Sequence, residues 1–347
     1  MLVVVLGSAG LLFAQKINQK EVKQLQSFLQ QTSAKGDANY VRLEITNINN
    51  PTSWKGVTWS GGRVISIEWS DKNLAGELDL AGFTALQKVD CSRNQLTGIE
   101  VSGCTALNTL NVSRNKLSSL NIDNCPALIK LDCYKNRLTD LSLAELPGLK
   151  NLNCSNNLFV ELNVNGAQQL QSLNVQGCHL ESLMVGSCEN LKNLYCGYNK
   201  LTSLNLFGTV SLSNLNIDDN EIANMVISKL PSLTSFVCSD NNMKTLGLLD
   251  CTALSDLVCS YNDLTTLSLD GSNNLYFVDC SYNDLTNLDL SNRTMLQRLI
   301  CNNNQLNTLD VSFCPNLVYI NCRYNQIIDL RTMGDSNLRM IACQWNY

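Results

Sequence analysis

Residues Leu254–Asn274 read LSDLVCSYNDLTTLSLDGSNN, and the same 21-residue phrase starts again at Leu275, Leu296, Leu317 and Leu338. Going backwards it starts at Leu233, Leu212, Leu191, Leu170, Leu149, Leu128, Leu107 and Leu86. These thirteen starts, the last incomplete, follow one another without insertion or deletion. A fixed period of this size belongs to stacked supersecondary units, none of which can bury its apolar side alone.

The template is L-x-x-L-x-C-x-x-N-x-L-x-x-L-x-L plus five residues. Around Leu257 and Cys259 apolar and polar residues alternate, which predicts a short half-buried strand. Stacked copies then pair as a parallel sheet at about 4.8 Å per copy, an arc of roughly 60 Å. The second half, L-x-x-L-x-L, echoes the first, and no stretch is long enough for a helix of period 3.6. Extended or short β segments are therefore expected on the back, with few helices.

The ninth place of the unit is Asn in every copy but one, where Cys178 stands. An inward Asn offers two donors and an acceptor to backbone groups of its own turn and the next. A buried turn without them would leave orphan groups costing about 1–3 kcal/mol each. The column is read as structural.

The motif L-x-x-L-x-C-x-x-N-x-L resembles the leucine-rich repeat consensus, which also admits Cys in place of that Asn. The repeat length, with Cys as the second inward strand residue, resembles secreted proteins of Bacteroidetes-type bacteria. The resemblance covers residues 86–347, about three quarters of the chain. It implies a leucine-rich repeat solenoid with a parallel sheet in front, a binding surface, and no reaction.

The chain has 347 residues, 44% hydrophobic, with a net charge of −5, so it offers no overall nucleic-acid footprint. Its sixteen cysteines fall in three repeat columns. Ten take the inward strand place, five (Cys104, Cys125, Cys188, Cys251, Cys314) the nineteenth place, and Cys178 the Asn place. This placement reads as small buried hydrophobes. Parallel side-chain vectors disfavour disulfides between rungs. No C-x-x-C pair suggests a metal.

Met1–Ala14, MLVVVLGSAGLLFA, has the apolar run and small-residue end of a secretory signal. Residues 15–63 read as an N-terminal cap. In it Asn18–Gln31 forms an amphipathic helix burying Val22, Leu25, Phe28 and Leu29, with Asn18 and Glu21 at capping-box spacing. Tyr40–Ile45 alternates as a strand, and Gly61-Gly62 separates two apolar runs as a tight turn. The run from Trp54 to Val57 resembles the cap of plant-type leucine-rich repeat proteins without its flanking cysteines, so no cap disulfide is expected. Residues 64–85 form an atypical first rung, slipped by one residue. The C-terminal sheet edge carries no polar cap and is open to self-association.

Outward strand places are free of the core's demands. Early ones carry Lys88, Arg93, Arg114, Lys130 and Lys135, later ones Asp218, Asp219, Asp240, Asp256 and Asp279. Aromatics gather in the eighth place and the third. The expected ligand-binding residues are Tyr198, Tyr261, Phe277, Tyr282, Tyr319 and Tyr324, since exposed aromatics enrich binding hot spots. Catalysis has little support. His179 is the single histidine, its neighbour Cys178 sits in an inward column, and the Asp residues are spread over a face rather than converging. The expectation is a non-catalytic binding module without cofactors or metal, secreted or at the cell surface or periplasm, with a protein or peptide as partner. A glycan surface protein and a structural spacer are the alternatives. Nucleic acid and a membrane span in the mature chain are not expected.

Overall fold

A computed structural model describes residues 17–186, 188–332 and 337–346. The expected leader lies outside them. The chain is a solenoid whose front is one 15-stranded sheet. The sheet opens with an antiparallel hairpin, Val57–Ser60 and Arg63–Glu68, turned at Gly61-Gly62. Ser66 then pairs in parallel with Lys88, Lys88 with Thr109, and Thr109 with Lys130. The same register runs on to Tyr319 and Met340. The first step is one residue longer than the rest, in keeping with the slipped first rung.

The back is also extended, as the nested motif requires, but its pairing is interrupted. Separate ladders join Ala75–Asp79 to Gln95–Glu100, and Glu161–Asn163 to Ser182–Met184. A longer one joins Asn224–Ser228, Thr245–Leu249 and Thr266–Ser268, and another joins Thr308–Asp310 to Asp329–Arg331. Between front and back lies one continuous core. In the unit quoted first, Leu254, Leu257, Cys259 and Leu264 are fully buried. Among the described residues no helix is long and apolar enough to cross a membrane.

The Asn column makes a ladder of amides. Asn262 Nδ2 donates to Cys238 O (3.0 Å) in the preceding turn and to Cys259 O (3.3 Å) in its own, while its Oδ1 accepts from Met243 N (3.1 Å). Asn115 repeats the pattern with Cys91 O, Val112 O and Leu96 N. Each side chain therefore ties two turns together. Cys178 keeps half of this: its Sγ donates to Cys154 O (3.3 Å). A thiol is a poor acceptor, so it offers nothing comparable to Phe159 N, the equivalent of Met243 N.

Fifteen cysteines are buried thiols; Cys343 is exposed, because no described rung stacks beyond its strand. In the nineteenth-place column Cys104 and Cys125 donate to Leu80 O (3.1 Å) and Val101 O (3.2 Å). Arg293 takes the same place. Its Nη2 donates to the equivalent carbonyl, Leu269 O (2.8 Å), and its Nη1 to Asn273 Oδ1 (2.8 Å). Burial lowers its pKa.

At the N-terminal end the helix Gln19–Leu29 lays Val22, Leu25, Phe28 and Leu29 on the first rung. Asn18 Oδ1 caps it by accepting from Lys20 N and Glu21 N. The reciprocal half of the expected capping box is absent. Glu21 instead turns to the sheet, accepting from Val64 N (2.8 Å) and Arg63 Nε (2.6 Å) at 2% exposure. The carboxylate latches the helix to the hairpin rather than to its own first turn. Tyr40–Ile45 is not a strand: Asn39–Arg42 is one helical turn and Glu44 has φ 55°. The buried amide of Asn39 imposes this. It donates to Phe28 O (3.0 Å) and Ala75 O (2.9 Å), pinning the segment under the first helix.

Candidate functional site

The eighth place of every rung sits where the chain leaves the front strand and turns inward to the amide ladder. Twelve non-glycine residues there have φ between 52° and 63°, and Gly177 has φ 64°. The left-handed region is tolerated by Asn, Asp and Gly but costs a bulky residue about 1–2 kcal/mol. Asn156, Asp219, Asp240 and Asn303 fit it well, whereas Tyr198, Tyr261, Tyr282, Tyr324 and Trp345 do not. The aromatic rings are held outward against local backbone preference.

Of the residues expected to bind, five gather in the last rungs. Tyr261 and Tyr282 stack with ring centroids 4.3 Å apart and planes within 9°. Desolvation raises the Tyr261 phenol pKa, with Tyr282 and the carboxylates of Asp240 and Asp279 adding to it. Tyr324 stacks on Trp345 at 5.9 Å. In the third-place column Phe277 and Tyr319 flank Arg298, whose guanidinium carbon is 5.3 Å from each ring centroid. The result is two aromatic columns bordering a strip floored by Val258, Asp279, Ile300 and Asn321.

Tyr198 stands apart. Asp219 and Asp240 occupy the two rungs between it and Tyr261. The carboxylate of Asp218 pushes the Tyr198 phenol up, and burial pushes Asp218's own carboxyl up. Gly197 makes room for this pair, since a Cβ there would fall 2.0 Å from Asp218 Oδ1. The basic early face is partly neutralised: Lys88 pairs with Glu68 (2.7 Å), and Arg114 lies 5.1 Å over the Tyr134 ring.

Arg298 and Trp345 belong with the cluster although neither is among the expected site residues. The signal was their phase: Arg298 falls in the third place between Phe277 and Tyr319, and Trp345 in the eighth after Tyr324. A second feature, on the back, went unread. Residues 203–206 pair with neither back neighbour, and beside them a groove of about 430 Å³ is lined by Leu204, Phe207, Val210 and Val226. Phe207 is 84% exposed. Its place holds small or polar residues in most units, so it stood out in the sequence too. As for catalysis, Cys178 is buried against a carbonyl, its thiol pushed up to about 11 by desolvation, while His179 points outward at φ 66°.

No protein-family model and no curated protein matches the chain. Solved structures do. An internalin, InlF, from Listeria monocytogenes is 17% identical with a TM-score of 0.55, covering 92% of this chain and 94% of that one. The fold is a leucine-rich repeat solenoid. The Toll–Spätzle complex of Drosophila matches with a TM-score of 0.60 at 19% identity over 75% of this chain, but only 39% of that chain is spanned. A TLR13–ssRNA13 complex matches at 0.59 and 21% identity, over 77% of this chain and 46% of that one. Solenoids of this fold thus occur in complexes with protein and with RNA, and the fold by itself does not choose between them.

Proposed function

We propose that this protein is a binding module that takes a protein or peptide on the C-terminal half of its front face. The observation that carries the reading is the pair of aromatic columns, Tyr261–Tyr282 with Tyr324–Trp345 and Phe277–Arg298–Tyr319. Rings held out in a backbone region that disfavours them are wanted for contact rather than for folding. An RNA ligand is disfavoured by Asp240, Asp256 and Asp279 along the same strip, which repel phosphate. A glycan is less favoured because one face each of Tyr261, Tyr282, Tyr324 and Trp345 is spent on mutual stacking, which reduces the ring area open to a sugar. Action outside the cell, behind the leader-like Met1–Ala14 and in a bacterial setting, is part of the same proposal.

The test replaces Phe277, Tyr282 and Tyr319 with Ala together. Capture of a partner from the natural surroundings should fall at least 100-fold, on a conservative count for three hot-spot rings, while the chain stays folded and its melting temperature drops by only a few degrees for the lost ring contacts. Undiminished capture rejects the face.

A further inference from the structure

The third-place column shows what two rings two rungs apart accept between them. Arg298 lies there with its guanidinium equidistant from Phe277 and Tyr319. In the eighth-place column Tyr282 and Tyr324 stand on the same two rungs as those rings. The residue between them is Asn303, too short to fill the space. At about 4.8 Å per rung the two tyrosines are ~10 Å apart, a span like the one across which Arg298 lies 5.3 Å from the centroids of both Phe277 and Tyr319. Their outer faces are already taken by Tyr261 and Trp345. Only the inner faces are open.

We propose that the slot between Tyr282 and Tyr324, floored by Asn303, receives an arginine guanidinium of the partner. This inference rests on the front-face reading and names the chemistry it recognises. Three features specify arginine. First, the neighbouring column holds a guanidinium in the matching place. Second, the carboxylates of Asp240 and Asp279 act on Tyr261 beside the slot, and Asp284 lies on the Tyr282 rung, accepting from Gln305. Arg323, beside Tyr324, is turned to Gln344, to which its Nε donates. Third, among the described residues the side-chain amide of Asn303 has no hydrogen-bond partner, so its Oδ1 is free to accept a guanidinium N–H. A planar cation can lie against two parallel ring faces at once, whereas an ammonium meets them as a point charge.

The experiment titrates the full chain, carrying ¹³C-labelled tyrosine, with N-acetyl-arginine amide, and separately with the lysine, citrulline and tyrosine amides. Ring signals of Tyr282 and Tyr324 are assigned by Phe substitution. Arginine amide should move both signals saturably, with lysine and citrulline at least tenfold weaker. Asn303→Arg, which fills the slot from within as Arg298 does, and Asn303→Tyr, which completes the stack, should each abolish the response. Both fold safely, because Arg93, Arg114 and four tyrosines already occupy this column at the same φ. No saturable shift, an unchanged response in both variants, or stronger binding of the tyrosine amide overturns the proposal. If Asn303→Arg keeps full partner capture while the triple alanine variant loses it, the slot assignment fails and the face stands. Capture by the triple variant would instead remove the face itself.

Discussion

The early and late halves of the front face share one backbone and differ in what they display. At the eighth place Arg93, Arg114, Lys135 and Asn156 carry the same left-handed φ as Tyr261, Tyr282, Tyr324 and Trp345. The inward neighbours are the same too, an amide ladder with a single exception. Whatever separates the halves therefore lies outside the requirements of folding. Of the four early residues only Asn156 is of a type that the left-handed region favours; Arg93, Arg114 and Lys135 pay the same backbone cost as the tyrosines. What the late rungs add is stiff, exposed rings that stack from rung to rung, and that difference places the contact surface there.

The sharpest way to break this comparison is to attack the column that should be indifferent to it. Asn115→Ala and Asn262→Ala each leave a buried N–H without its acceptor (Leu96 and Met243) and strip a donor from three carbonyls. Each should cost about 2–5 kcal/mol by chemical denaturation. The two values should agree within about 1 kcal/mol, and a large disagreement would mean that the halves differ inside as well as outside.

Next in size is the one irregular ladder place. Cys178→Asn restores an acceptor for Phe159 N and should raise stability by about 1 kcal/mol. A loss instead would show that the rung has repacked around sulfur.

The smallest effect tests the rings themselves. Tyr198 has no stacking partner and gives up only its contact with Asp218, so Tyr198→Asn relieves backbone strain and should gain a few tenths to about 1 kcal/mol. Tyr261→Asn relieves the same strain but gives up a stacked pair of about 0.5–1.5 kcal/mol, and should come out near zero. Equal gains at both would deny the late stack any stabilising role.

The architecture was legible because period, alternation and the Asn column all state the same constraint. A side chain that recurs at a fixed spacing in identical company must meet the same surroundings each time. The cap was less legible because it is not periodic. Tyr40–Ile45 alternates like a strand, yet the buried amide of Asn39 bends it into a helical turn through contacts with Phe28 and Ala75, both distant in sequence. Glu21 misled for the same reason, since its true partners are Val64 and Arg63. In the candidate site the outward columns could be listed from phase alone. What phase does not convey is how side chains of neighbouring rungs share space, so Arg298 between two rings and the left-handed turn beneath the tyrosines emerged only in three dimensions.

The amide ladder has a mechanical consequence. Because every Asn grips both its own turn and the one before, a pull on the far end loads one rung at a time. Stretched from its ends, the molecule should pay out in a train of near-equal steps of about 70 Å, the contour length of one unit at ~3.4 Å per residue. The rung of Cys178, with a thiol where the others have an amide, should be where that train skips.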